Sequence, residues 1–369
     1  MKLKVKLYDI YIVTITFMKA IGLTADSKLY LLALVFGCAV VFMKVCMEKY
    51  RPKELLGMIV IVAIGILNLV VARGTSVLTT AIALCGLKNV DSDRIIKISF
   101  WTRLVGFLLM IILSTTGVIE NKVIQFWRED GYISRSLFGY EHANTAHMIF
   151  AINVLLALYL YGPKMRLAHY ALLMVCNQWL YFYTGSRTGW VVAWASIICY
   201  LLTTSKKAQP VVLRCFRHSY ILLAALTLVL GLGYGRIDFV TKLNTLMTGR
   251  LNYISRILSE EAVTLFGKTE YQSIIVDNGW IKLLYMGGLF VFLWFSYYIT
   301  KAQKRLYQQY RTRELFLITC FLIYNMAESF IDAFSLNVSL VFIGELMFDN
   351  KKIKLETLEV VEKQNICIR

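Results

Sequence analysis

Apolar segments of membrane-crossing length recur roughly twelve times along the 369 residues, separated mostly by short charged connections. A water-soluble core cannot enclose so many, whereas a bilayer covers all of them, at about 20 residues per crossing. Twelve crossings would use about 240 residues and leave short connections plus two longer ones. Composition agrees: 58% of the residues are hydrophobic, mean hydropathy is +0.61 and there are only three prolines. The expected fold is all-α, a polytopic integral membrane protein forming one transmembrane domain over 1–369.

The segments fall at 7–23, 29–47, 55–72, 75–88, 95–116, 143–161, 167–184, 189–204, 219–235, 279–299, 314–328 and 332–348. A basic start precedes the first, but no small-residue cleavage site follows, so an uncleaved span is expected rather than a secretory leader. Lysine and arginine set the orientation. With the N-terminus inside, the inner connections collect 26 of the 40 Lys and Arg, from Lys2, Lys4 and Lys6 to the tail Lys351–Arg369. Both termini come out cytoplasmic, and the expected location is a bacterial inner membrane. The net charge of +17 is then mainly a topology signal that attracts anionic lipid headgroups, and no nucleic-acid partner is expected. None of the eight cysteines falls in an outer connection, so neither a disulfide framework nor a zinc motif is implied.

Two sizeable connections face outward, 117–142 and 235–278. The first interleaves Glu120, Lys122, Arg128, Glu129, Asp130, Arg135 and Glu141 with Phe126, Trp127, Tyr132, Phe138 and Tyr140, which suits either a sugar-stacking surface or an interfacial aromatic belt. The second carries five basic and five acidic residues. That balance lacks the bias topology imposes, so these charges serve one another or a ligand.

Within 184–189, Arg187 emerges at the outer boundary, either to snorkel to lipid phosphate or to hold a diphosphate in its planar fork. The segment 248–261 predicts a short amphipathic helix. In it Arg256 and Glu260 are spaced for a surface pair, and Arg250 has no partner three or four residues away, making it the better anion-site candidate. Glu141 and His142 open the sixth segment as candidate general bases or as helix-capping groups. His142 and His147 lie about 140° apart around a helix and make no metal pair. Asp277, before the tenth segment, is either an N-cap or a base. Asp91-Ser-Asp93 mimics a metal-binding triplet but sits in a small inner connection and is expected to cap a helix. No nucleotide-binding or hydrolase fingerprint is present. Arg103, Glu328, Asp332 and Glu345, inside predicted spans, must face the bundle interior or water.

Phe138-Gly-Tyr-Glu-His-Ala-Asn144, Tyr183-Thr-Gly-Ser-Arg187-Thr-Gly, Gly249-Arg250, Gly267, Val276-Asp277-Asn278-Gly-Trp-Ile and Gly287-Gly288 occur in an order and on a side that resembles the polytopic polymerases of O-antigen and capsular repeat units, relatives of the O-antigen ligases. The motifs cover about 139–288. The ligases resemble this pattern with a histidine where Asp277 stands, which favours Asp277 or His142 as base. The ten-residue interval between Arg256 and Gly267 is also similar to a spacing in polymerase loops. The resemblance implies transfer of a glycan from a polyprenyl diphosphate to a second lipid-linked repeat on the extracytoplasmic face, inverting and without a metal or other cofactor. It implies catalytic roles for Arg187, Arg250, Asp277, His142 and Glu141, with Asn144, Asn278, Arg256 and Tyr253 binding substrate. Implied partners are polyprenyl-diphosphate-linked oligosaccharides, membrane lipids, and a chain-length regulator and flippase of the same pathway. A glycan ligase and a lipid-linked oligosaccharide flippase are the competing expectations, the flippase disfavoured by the lack of an internal repeat between 1–180 and 181–369.

Overall fold

The computed structural model describes residues 2–128, 131–269 and 276–348. Glu129, Asp130, Glu270 and the tail Lys351–Arg369, which includes Cys367, lie outside the described residues.

The described chain is mostly helical. Its helices are α1 (Lys2–Ala20), α2 (Lys28–Cys46), α3 (Pro52–Ala72), α4 (Ser76–Cys85), α5 (Ser92–Thr115), α6 (Ala143–Tyr161), α7 (Leu167–Thr184), α8 (Arg187–Thr204), α9 (Gln209–Arg217), α10 (Ser219–Gly233), α11 (Asp238–Leu246), α12 (Arg250–Glu260), α13 (Gly279–Ile281), α14 (Leu289–Gln308), α15 (Thr312–Asn325) and α16 (Val341–Phe348). Four of them, α2, α3, α5 and α6 continued to Lys164, are long and apolar enough to cross a membrane. The pair α9 and α10, bent by 69°, makes a fifth if taken as one span. Along α3 the apolar side chains of Leu56, Ile59 and Val70 stand exposed, a surface suited to lipid rather than water. The bundle is built around α6, 72% of whose apolar window is buried, against 28% for α3. It packs against α5, α7, α8 and α15.

Several elements differ from the sequence expectation. The first long connection is not irregular: β1 (Val123–Arg128) and β2 (Gly131–Ser136) form an antiparallel hairpin in which Trp127 faces Tyr132, the exception to an all-α chain. The segment at 75–88 yields only the ten-residue α4, about 15 Å long and half a bilayer core. The segment at 332–348 yields a 3₁₀ turn and the short α16.

The segment at 279–299 is broken. A π-helical turn, Lys282–Met286, follows α13, and Gly288 at φ +85° separates it from α14. Carbonyls freed by the break need donors. The Asn68 amide of α3 supplies them, donating to Met286 O and Gly287 O at 3.0 and 3.1 Å and to Phe266 O at 2.9 Å. The irregular stretch at 264–267 therefore lies against the break, where Leu289 N donates to Thr264 O at 2.9 Å. A Cβ on Gly267 would stand 1.9 Å from Met286 O, and one on Gly288 2.2 Å from Gly267 N, so the two backbones cross only because both residues lack side chains.

Side-chain contacts join the hairpin to the 184–187 turn, and Arg250 to Thr188, to the segment around 277 and to the 326–332 connection. Elsewhere stand the paired charges Arg94–Asp9, Lys88–Glu54 and Arg311–Glu345.

Candidate functional site

The site begins with the packing of α12. Gly249, at φ +85°, turns the chain into the helix, and Leu251, Ile254 and Ile257 form an apolar stripe against Val240, Ile281 and Tyr285. Each such side chain contributes about 1.5–3 kcal/mol on burial. Close approach to α10 depends on Gly231, where a Cβ would lie 2.5 Å from Ile254 Cγ2. This packing carries Arg250, the first residue of α12, into the bundle, where it is 9% exposed.

Every nitrogen of the Arg250 guanidinium has a partner. Nε lies 3.3 Å from Asp277 Oδ2, Nη1 donates to Thr188 Oγ1 at 2.8 Å, and Nη2 lies 3.6 Å from Glu328 Oε1. The expectation of an unpartnered Arg250 is thus corrected: the spacing rule tests only neighbours on the same helix, and these partners come from three other parts of the chain.

Asn278 brings the two carboxylates together. Its Oδ1 accepts from Trp280 N and Ile281 N, both at 3.1 Å, capping α13, while Nδ2 donates to Met326 O at 3.0 Å. The cap is therefore Asn278, not Asp277, and the Asn278 side chain, 2% exposed, serves the backbone rather than a ligand. Asp277 is left to face Arg250 with 35% of its side chain exposed. A shallow indentation opens beside it, lined by Arg250, Ile254, Ile257, Val276, Asn278 and Ile281.

Glu328 lies beyond α15, which ends where Asn325 Oδ1 accepts from Phe330 N at 3.0 Å. With 17% of its side chain exposed, burial raises its carboxyl from the ordinary 4.5 to about 7, Arg250 opposing the rise and Asp277 adding to it. A carboxyl poised near neutrality beside a fixed cation can take or give a proton at physiological pH.

Next to Thr188 stands Arg187, the first residue of α8. Its guanidinium makes no hydrogen bond or ion pair among the described residues. The hairpin folds over the preceding turn: Arg135 Nε donates to Thr184 O at 2.6 Å and its Nη2 to Asn144 Oδ1 at 2.6 Å, while Arg128 Nη2 donates to Gly185 O at 2.5 Å. The bonds to Thr184 O and Gly185 O satisfy carbonyls at the end of α7. Burial, then the charge of Arg128, lowers the Arg135 guanidinium to about 10. Burial, then Arg187, lowers that of Arg128.

The other sequence-derived candidates lie apart from this centre. His142 occupies the N-cap position of α6 without a side-chain cap bond. Both it and Glu141 are exposed, and Glu141 interacts electrostatically with Lys19. Arg256 makes an exposed pair with Glu260 at 2.8 Å, and Tyr253 packs partly buried beside the α12 stripe. Asn144 is engaged by Arg135. His147 is buried between Thr184 and Asn177.

Of the other costly charges, Arg103 is fully buried and donates to Ser335 O at 2.6 Å. Asp332 accepts from Ser76 and lies 3.4 Å from Lys282, and Glu345 is held by Arg311. Asp91 takes the N-cap position of α5, and Asp93 accepts from Tyr159. Among the described residues no group of three or more His, Cys, Asp or Glu is arranged to hold a metal ion.

No protein-family model, curated protein or solved structure matches the chain.

Proposed function

We propose that this protein polymerises polyprenyl-diphosphate-linked oligosaccharide repeat units, as a glycosyltransferase of the O-antigen or capsule type. A twelve-crossing arrangement would place the hairpin and the turns joined to it on the extracytoplasmic face of a bacterial inner membrane. The observation that carries this reading is the meeting of Arg250, Asp277 and Glu328 with Thr188, because it brings a carboxyl able to accept a proton to the helix start that carries Arg187, a guanidinium without a hydrogen-bond or ion-pair partner among the described residues. Glycosyl transfer from a lipid diphosphate needs both: a base at the attacking hydroxyl and fixed donors at the departing diphosphate.

In this reaction Glu328 takes the proton of the acceptor hydroxyl as its oxygen bonds to the anomeric carbon. The bond from that carbon to the diphosphate oxygen breaks on the opposite side, inverting the centre. Negative charge passes to the free polyprenyl diphosphate and is met by Arg187. Arg250 orients Asp277 and Glu328, and Asp277 holds the guanidinium in register.

A null mutant examined for surface glycan length tests the reading. Loss of a polymerase leaves single repeat units on the surface. Polymer retained on its prenyl carrier would instead identify a ligase, and units trapped inside the cell a flippase.

A further inference from the structure

We infer that His147 of α6, outside the reacting cluster, is a positioning residue that grips the start of α8 and so keeps Arg187 and Thr188 in place. Its part in the reaction rests on the polymerase reading; the grip on the chain does not. The imidazole is fully buried and both nitrogens are engaged, Nε2 at 2.8 Å from Asn177 Oδ1 of α7 and Nδ1 at 3.1 Å from the Thr184 hydroxyl. Asn177 fixes the tautomer. Its Nδ2 donates to Trp190 O at 3.1 Å, so Oδ1 faces the ring and can only accept. The ring proton therefore sits on Nε2, and Nδ1 accepts from Thr184. With no acidic partner among the described residues, an imidazole so enclosed is neutral.

The Thr184 hydroxyl shares its proton between Nδ1 and Leu180 O, the latter at 2.8 Å, and its oxygen accepts from Ser186 N at 3.3 Å. One chain of bonds thus runs from Ser186 N through Thr184, His147 and Asn177 to Trp190 O. It holds α8 directly before Arg187 and again two residues past Thr188. Packing agrees, for a Cβ on Gly189 would stand 2.7 Å from His147 Cδ2, and the ring meets Phe150 edge-on at 6.0 Å between centroids. Apolar side chains could join these three helices without the cost of desolvating an imidazole, an amide and a hydroxyl. What the polar chain adds is a single fixed geometry. Thr188 Oγ1 accepts from Arg250 Nη1 at 2.8 Å, so a shift of the α8 start displaces Arg187 and loosens Arg250 together. Misplacement by about 1 Å costs about a hundredfold in rate.

Full-length His147→Gln and His147→Phe are compared with wild type in nanodiscs. Glutamine keeps a donor for Asn177 and loses the bond to Thr184, whereas phenylalanine keeps a ring against Phe150 and loses both bonds. Amide hydrogen exchange over 184–190 is expected to quicken about fivefold or more in both, with the protection of α15 unchanged. Where His147→Phe loosens the whole bundle, His147→Gln decides. With lipid-linked repeat units as substrate, His147→Gln is expected to lower kcat about tenfold or more and to leave the donor KM within about twofold. Thr188→Val should slow the reaction too, and the double variant should be no slower than the slower single one. Losses that multiply would make His147 a general support of the bundle and overturn the positioning role. Unaltered exchange over 184–190 in both variants overturns the grip itself. Quickened exchange in a protein whose wild type extends no glycan would uphold the grip and sink the polymerase reading.

Discussion

Glu328→Gln should stabilise the protein while abolishing its activity. Burial moves this carboxyl from 4.5 to about 7, which at about 1.4 kcal/mol per pH unit corresponds to about 3 kcal/mol. The sign follows from which state holds the proton. Below about pH 4.5 both folded and unfolded chains are protonated at this residue and it contributes nothing. Between 4.5 and 7 the unfolded chain ionises first, so stability falls as pH rises. Above about 7 the full penalty of an ionised, largely enclosed carboxylate is present. Glutamine keeps the shape and hydrogen-bonding capacity without the charge. Thermal unfolding of detergent-purified wild type and Glu328→Gln from pH 4.5 to 8 should give curves that coincide at the acid end and diverge in favour of the variant by up to about 3 kcal/mol at pH 8. Polymerisation by the variant should be lost, since an amide cannot accept the proton. Parallel curves at every pH would refute the argument, because they would mean that Glu328 ionises in the folded protein as readily as in the unfolded chain.

Asp277→Asn should lower polymerisation by about tenfold or more at unchanged expression, through a weakened hold on Arg250, whereas His142→Ala, outside the cluster, should leave glycan length unchanged; immunoblots and glycan gels of complemented null cells read both. Gly267→Ala should destabilise the fold by about 2 kcal/mol or more, because its Cβ would meet Met286 O and its φ is +90°; a lowered midpoint in thermal unfolding checks this. A cysteine at Lys268 should react with an impermeant thiol reagent in intact cells and one at Lys304 should not; the reverse pattern would invert the proposed orientation.

The helical, membrane-compatible character of the chain was legible because hydropathy alone carries it. The cluster at Arg250 was legible only in part. Arg250 and Asp277 stood out as charges beside glycine-marked turns, but their contact spans 27 residues of chain and depends on α12 lying against Ile281 and Tyr285 of the broken segment, which no local pattern encodes. Glu328 was assigned to a span because the apolar run continues to it, while the helix stops three residues earlier at Asn325, whose side chain both donates to Phe321 O and accepts from Phe330 N. The hairpin did leave a signal. Val123-Ile-Gln-Phe-Trp-Arg128 and Gly131-Tyr-Ile-Ser-Arg-Ser136 are rich in β-branched and aromatic residues around a short turn, but the aromatics fitted an interfacial belt equally well. The glycine pair Gly287–Gly288 did not by itself interrupt the apolar run of 279–299, because the donor that makes a break there tolerable, Asn68, lies about 220 residues earlier.

The most direct test of the central claim is reconstitution of the purified protein in liposomes with synthetic polyprenyl-diphosphate-linked repeat units, followed by separation of the glycan products by length. The account predicts a ladder of multiples with release of polyprenyl diphosphate, absent with Glu328→Gln and with Arg187→Gln. Repeat units that keep their length while crossing the vesicle membrane would contradict it.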